Sequence, residues 1–198
     1  MDYLPIRRAL LSVTHKIGLA ELAAMLVEHQ VELVSTGGTF KVLNEAGLPV
    51  TQVSSVTNFP EILGGRVKTL HPVIHGGILA DKNNPAHLAT LAEMRIKPFD
   101  LVCVNLYDFA SAMAAGQAPD KAVEEIDVGG PCMIRAASKN YHSVLVLPET
   151  AAYKEFRDEF TRHAGKVSLD FRRRMAVRAF SLTAAYDAMI AEYLGRFG

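Results

Sequence analysis

Residues 64–77, GGRVKTLHPVIHGG, carry side chains that could bind and act on a ligand. Arg66 and Lys68 supply two cations, Thr69 supplies a hydroxyl, and the glycines allow the backbone to approach a bound molecule closely. Long irregular loops inside compact domains are often functional. We therefore interpret this segment as a ligand-binding loop in preference to a solvated surface loop.

Residues 35–39, STGGT, have the composition of an anion site. They follow a predicted strand and open a predicted helix, where free N–H groups and the positive end of the helix dipole favour negative charge. Lys16, just after the first predicted strand, could place a cation beside the same anion. Phosphate would suit this site, although a simple capped turn explains the short motif equally well.

Residues 124–140, EEIDVGGPCMIRAASKN, place Asp127 before a glycine pair and Pro131, which favours the first turn of a helix. Lys139 is predicted near the far end of that helix. By themselves, Asp127 is slightly better explained as a turn residue, and Lys139 as a partner of the C-terminal helix dipole. Tyr107 could likewise be an interior aromatic residue with a bonded hydroxyl.

The elements that must position these residues are predicted from the apolar pattern. Strands are predicted at residues 8–13, 31–35, 49–53, 100–107 and 143–147. Helices are predicted at residues 19–26, 40–47, 87–94, 121–125, 132–138 and 153–160, and residues 54 to about 81 are predicted to be loop-like. This alternation predicts one α/β domain over residues 1–198, with a mostly parallel sheet flanked by helices and a helical C-terminal segment over about 150–198.

The predicted topology ranks the loops that could form a site. In open parallel sheets, ligands lie at the carboxyl ends of the strands, on the loops that lead into helices. Four segments lie there: 14–16, 36–39, 105–107 and the residues after 127. We therefore expect their polar side chains to lie close together.

The composition argues against several classes of protein. Lys and Arg number 21 against 21 Asp and Glu, whereas nucleic-acid and anionic-membrane surfaces normally show a basic excess. No apolar run approaches the roughly 18 residues of a membrane span, and the N-terminus lacks a signal-peptide hydrophobic region. We expect a cytoplasmic protein without nucleic-acid or membrane partners, whose Cys103 and Cys132 are reduced.

Two further features of the sequence favour structural roles over a binding site. The run at residues 172–174, RRR, is predicted to lie on the solvated face of a helix. His71 and His75 are four residues apart, but Pro72 and the glycine pair 76–77 argue against a helix there. No metal site is therefore predicted.

Motifs along almost the whole chain, in order from about residue 8 to residue 194, resemble the inosine monophosphate cyclohydrolase part of the bifunctional purine biosynthesis proteins. They are SVTHKIGL, STGGT, GLPVTQVSSVTNFPEILGGRVKTLHPVIHGGIL, VNLYDF, IDVGGPCMIRAASKN and AFSLTAAYDAMIAEYL. The resemblance implies a methylglyoxal-synthase-like fold. It also implies dehydrative closure of 5-formamidoimidazole-4-carboxamide ribotide to inosine monophosphate, without a metal or redox cofactor.

The resemblance also implies a role for each matching residue. The nucleotide 5′-phosphate site corresponds to Thr14, Lys16, Thr36, Gly37, Gly38 and Thr39. The base and its reacting groups correspond to Arg66, Val67, Lys68, Thr69, Val104, Asn105, Tyr107, Asp127, Val128 and Lys139. Lys139 is the first choice for proton transfer, with Asp127 and Tyr107 in support, and Lys68 would stabilise the developing oxyanion.

The chain departs from the family pattern at four positions. His15 stands where Asp is usual, Asp108 where Pro is usual, Val73 where Lys is frequent, and Ser138 where Ala is usual. None is assigned to the chemistry. We expect them to affect rate and pH dependence more than the type of reaction.

Two other functions are compatible with this fold. A non-catalytic nucleotide-sensing module would need the phosphate loop but not the set of Lys68, Tyr107, Asp127 and Lys139. Methylglyoxal formation would reuse the phosphate loop, but the GRVKTLHP and IDVGGP segments do not resemble that family's motifs.

In the resembled proteins a folate-dependent transformylase follows this domain, so a separate or missing transformylase would supply the substrate. A homodimer is compatible with the resemblance.

Overall fold

Five short parallel strands form the central sheet, which we describe from a computed structural model covering residues 1–107, 109 and 119–197. The strands are β2 (Arg8–Ser12), β3 (Glu32–Ser35), β4 (Val50–Gln52), β5 (Leu101–Val104) and β6 (Leu145–Leu147). Within those residues the strand order is β4-β3-β2-β5-β6, and the central strand β2 and its neighbour β5 are almost wholly buried, as expected for a sheet covered on both faces. A separate antiparallel pair, absent from the sequence-based prediction, joins β1 (Tyr3–Pro5) to β7 (Lys166–Ser168).

Helices cover the sheet, and the predicted alternation of strands and helices is confirmed. They are α1 (Leu19–Glu28), α2 (Gly37–Glu45), α3 (Val53–Thr57), α4 (Pro72–Leu79), α5 (Pro85–Glu93), α6 (Pro119–Glu124), α7 (Gly129–Lys139), α8 (Ala152–Arg162) and α9 (Leu169–Leu194). Short 3₁₀ turns lie at Leu63–Gly65 and Gly195–Phe197. The predicted C-terminal helical segment corresponds to α8 and α9, and α9 packs along α7.

The topology opens a crevice beside the central strand β2. The chain proceeds outward from β2 to β3 and β4 on one side, and β5 and β6 lie on the other side. Leu11 of β2 is level with Ser35 of β3 and Cys103 of β5, so the three strands end together. A switch point of this kind is where open α/β sheets bind ligands.

Helix α4 corrects the prediction that residues 54–81 are only a loop. Pro72 is its first residue, a position where the missing N–H costs nothing, and His71 caps it by accepting the Val73 N–H through Nδ1 at 3.2 Å. A Cβ on Gly77 would lie 3.0 Å from the Lys97 carbonyl oxygen, so this glycine permits close packing. Proline and glycine, which the sequence pattern suggests as helix breakers, here begin a helix and allow it to pack closely.

No helix among the described residues is long and apolar enough to span a membrane. No group of three or more His, Cys, Asp or Glu side chains in that part of the chain could hold a metal ion.

Arg172 corrects the prediction of a solvated basic face. Its side chain is 0% exposed and lies where α9 meets the β1–β7 pair. The guanidinium donates to the carbonyl oxygens of Val167 at 2.6 Å, Met1 at 2.7 Å and Tyr141 at 2.9 Å. Arg173, by contrast, is exposed and pairs with Asp170 at 2.6 Å. A run of three arginines therefore contains one structural cation that composition alone cannot distinguish.

Replacing Arg172 by Met should lower the free energy of unfolding by about 3 kcal/mol, because buried carbonyl groups lose their donors. Urea denaturation measures this loss. Arg173→Met is the matched control and should change stability by less than about 0.5 kcal/mol, since exposed ion pairs contribute little. Equal effects of the two substitutions would contradict the structural role of Arg172.

Candidate functional site

A cleft of about 840 Å³ lies at the carboxyl ends of β2, β3 and β5. It brings together most of the residues singled out from the sequence. Those lining it are Thr14, Lys16, Thr36, Gly37, Gly38, Thr39, Arg66, Lys68, Thr69, Val104, Asn105, Tyr107, Asp127 and Val128.

At one end of the cleft, the residue that follows β2 is hydrogen-bonded to α2. Thr39 Oγ1 accepts the Val13 N–H and donates to the Val13 carbonyl oxygen, both at 2.9 Å. Lys16 Nζ donates to the same hydroxyl at 3.1 Å and to the Val13 carbonyl. Burial lowers the pKa of Lys16, a cost that an anion bound beside it would offset.

The first turn of α2 faces the same space. Thr36 is the N-cap residue, but its hydroxyl pairs with Ser12 Oγ at 2.8 Å and does not cap the helix. The first N–H groups, at Gly37 and Gly38, have no acceptor within the helix. A helix N-terminus beside a partly buried lysine is suited to an anion with several acceptor oxygens, such as phosphate.

Lys68 adds a second cation at this end. Its Nζ lies 2.9 Å from Glu61 Oε1 and 3.7 Å from the place where a Cβ on Gly37 would stand. The pair rests on Gly65, which has a φ of +97° and where a Cβ would come within 2.6 Å of Glu61 Oε1. Gly65 is therefore required both for its backbone conformation and for space.

Asn105 ties the loop after β2 to the end of β5. Its Oδ1 accepts the N–H groups of Thr14 at 2.6 Å and His15 at 3.0 Å, and its Nδ2 donates to the His15 carbonyl at 3.4 Å. Asn105 is 7% exposed, whereas Tyr107 two residues later is half exposed on the cleft wall. The amide thus fixes the loop backbone, and the phenol remains available to a ligand.

Asp127 lies at the opposite wall, in front of α7. Its Oδ1 accepts the Gly130 N–H at 2.9 Å, and a Cβ on Gly130 would come within 2.2 Å of Oδ2. Burial raises the pKa of Asp127, and hydrogen bonds from the N–H groups of Gly130 and Gly129 oppose that rise. Thr69 packs closely against the first residue of α7, because its Oγ1 would lie only 2.8 Å from a Cβ on Gly129.

Several residues of the site were missed by the sequence analysis. Glu124 on α6 makes a two-pronged ion pair with Arg66, with N–O distances of 2.6 and 3.1 Å. Ser12 and Glu61 join the site through Thr36 and Lys68. Ser12 could have been predicted because it ends a strand, and Glu61 because it lies just before the GGRVK motif. Nothing in the sequence indicates which acidic residue pairs with Arg66.

Lys139 is not brought to the cleft. It is the exposed last residue of α7, about 15 Å along the helix from Gly129. Its neighbour Asn140 donates from Nδ2 to the Ile78 carbonyl oxygen at 2.7 Å, at the end of α4. The prediction that Lys139 shares a site with Asp127 is therefore not met within one chain, because α7 carries it away.

Neither Val67 nor any described position that departs from the family pattern lines the cleft. Val67 pairs through its backbone with Ile62 and does not line the cleft. His15 is exposed, Val73 lies in the first turn of α4, and Ser138 is buried with its hydroxyl donating to the Ile134 carbonyl at 2.7 Å. Asp108 lies outside the described residues.

Comparison with known proteins identifies the class. Residues 18–132 match the family of MGS-like domains, and the chain belongs to that family. The crystal structure of ForH, 34% identical, superimposes with a TM-score of 0.85 and covers 96% of this chain and 97% of its own. The predicted fold class is therefore confirmed.

The relationship extends to a particular group of proteins. Residues 137–197 match the AICARFT/IMPCHase bienzyme family. The bifunctional purine biosynthesis protein PurH of Cereibacter sphaeroides is 51% identical over 98% of this chain and 36% of its own length. PurH of Halalkalibacterium halodurans is 53% identical over 95% of this chain and 37% of its own. The chain spans a little over a third of these relatives, and the resemblance predicted from the motifs is confirmed.

Replacing Lys16 by Met should weaken the binding of inorganic phosphate about tenfold or more, because a charge-assisted hydrogen bond is lost. Isothermal titration measures this affinity. Lys41→Met, on the outer face of α2 where the side chain is 76% exposed, is the matched control and should change it less than twofold. Unchanged affinity in Lys16→Met would contradict an anion site at this end.

Proposed function

We propose that the protein is an inosine monophosphate cyclohydrolase, which closes 5-formamidoimidazole-4-carboxamide ribotide to inosine monophosphate with loss of water. One observation carries the proposal: a single cleft has two cations, Lys16 and Lys68, at its first end beside the N-terminus of α2, and it is also lined by the partly buried Asp127. The membership of the chain among MGS-like domains and its similarity to PurH support the same reaction.

The substrate's 5′-phosphate would bind at the first end. The N–H groups of Gly37 and Gly38 and the ammonium of Lys16 supply the donors, and Thr39 holds that lysine in place. The base would then extend toward Tyr107, Asn105 and the opposite wall. Holding both reacting groups of one molecule in this pose supplies much of the rate enhancement expected for a ring closure.

The chemistry requires one new bond and the departure of one water. The carboxamide nitrogen attacks the formyl carbon, and the formyl oxygen becomes an oxyanion that the Lys68 ammonium can stabilise. Asp127 takes a proton from the attacking nitrogen. The oxygen then leaves as water, carrying that proton and the one from the formamido nitrogen, and the C=N bond of the ring forms.

The remaining residues have supporting roles in this proposal. Tyr107 and Thr69 line the same cleft as the two catalytic side chains and would contact the base. Lys139 could act only in a cleft of a second copy, which links the expected proton-transfer role to the expected homodimer. A Lys139→Ala loss as large as that of Lys68→Ala would support such an assembly.

The chemistry of the substrate indicates which reaction must precede this one and which cofactors are needed. The reactant is a formylated imidazole ribotide, so a transformylase must supply it. The cyclisation needs neither folate nor a redox group, since it moves only protons and water.

We expect Lys68→Ala to lower the folate-independent kcat by about a hundredfold or more, because the oxyanion loses its cation. Ultraviolet absorbance of inosine monophosphate formed from the formylated ribotide measures the rate. Lys154→Ala, exposed on α8 and paired with Asp158, is the matched control and should retain activity. Nucleotide binding without turnover in the unaltered chain would favour the sensing-module alternative.

The pH profile should reveal the state of Asp127. Because burial raises its pKa above the ordinary 3.8, the carboxylate gains its proton at a higher pH than an exposed aspartate. A proton-accepting carboxylate is lost on acidification, so we expect kcat to fall as pH drops through this raised value. Asp127→Asn should show a low, flat profile over that range. Retention of the acid limb in Asp127→Asn would assign it to another group.

A further inference from the structure

We infer that Tyr186 of α9 is a positioning residue for Asp127, so that the long C-terminal helix acts on the cleft through one phenol hydroxyl. This inference rests on the proposed function, because it assigns Tyr186 to the proton-transfer step. Tyr186 does not line the cleft, and it would act only through Asp127.

The contact joins two segments that are 59 residues apart in the chain. The Asp127 N–H donates to the Tyr186 hydroxyl oxygen at 2.8 Å. Tyr186 is 5% exposed, and its ring packs edge-on against Phe109 with centroids 6.4 Å apart. Phe109 is itself fully buried. The hydroxyl therefore lies on a ring that core packing holds in place.

Asp127 is consequently held at two points. The carboxylate is fixed by the Gly130 N–H, and the backbone nitrogen is fixed by Tyr186. The N-terminus of α7 holds the carboxylate, and the phenol on α9 holds the backbone nitrogen. Because these two elements are different, together they set the direction of the Asp127 side chain. Loss of the phenol would leave a partly buried N–H without this acceptor, a state that local rearrangement of residues 126–128 would relieve.

The surroundings keep the phenol neutral. Burial raises the pKa of Tyr186, and the negative charges of Asp127, Asp187 and Glu125 raise it further, while the Asp127 N–H opposes the rise. A neutral hydroxyl accepts the N–H without adding a second negative charge beside the Asp127 carboxylate. Gly129 and Gly130, which face the same carboxylate from α7, contribute only N–H donors.

The test compares Tyr186→Phe with the unaltered chain by two measurements. We expect kcat for inosine monophosphate formation to fall about tenfold, with KM changing less than about twofold, because the phosphate end is untouched. We also expect amide hydrogen exchange at Asp127 to become about tenfold faster or more. The exchange measurement does not depend on activity.

Tyr153→Phe is the matched control. Tyr153 is also 5% exposed, and its hydroxyl accepts from Cys103 Sγ at 3.4 Å, away from the cleft. This variant should leave kcat and the exchange of Asp127 unchanged within about twofold. Unaltered kcat and exchange in Tyr186→Phe, or an equal fall of kcat in Tyr153→Phe, would overturn the inference. If the unaltered chain makes no inosine monophosphate, the proposed function fails, and hydrogen exchange alone still decides whether Tyr186 holds Asp127.

Discussion

The structure depends on satisfying the backbone groups that parallel strands leave free where they end. Buried N–H and carbonyl groups need partners, and at the carboxyl edge of this sheet side chains supply them. Thr39 pairs with both groups of Val13, Asn105 with the N–H groups that follow, and Ser35 Oγ donates to the Leu11 carbonyl at 2.8 Å. The polar residues that line the cleft are therefore partly structural, and a ligand meets groups that are already held in place.

At the opposite edge of the sheet, a buried ion pair has the corresponding structural role. Asp100 accepts the N–H groups of Arg7 and Arg8 at 2.8 Å and pairs with Lys82. Burial lowers the pKa of Lys82, and the carboxylate opposes that effect. A buried ion pair thus closes one edge of the sheet, whereas at the other edge the partly buried Lys16 and the N-terminus of α2 line a cleft.

The alternation of apolar strands and helices was sufficient to predict the sheet and the edge where the site lies. Strand ends and glycine-rich turns are local signals, so Lys16, Thr39 and Asn105 were found correctly as residues of one cleft. Lys139 was not, because its distance from Asp127 depends on how far α7 runs. Arg172 and Tyr186 lie within helical patterns, and their roles arise only from contacts with distant segments. Pro72 shows that one residue type can either begin or break a helix, depending on the cap before it.

Helix α9 also restricts how the length of the chain can vary. Arg172 near its start is anchored to the β1–β7 pair, and Tyr186, fourteen residues later and about 21 Å along the axis, meets Asp127. Each residue of an α-helix turns the side chains by about 100°. A single insertion between these positions would rotate one anchor away from its partner, so the helical phase is set from both ends. An insertion of a whole turn would restore the rotation but move one anchor about 5.4 Å along the axis, so the two contacts also fix the number of residues between them.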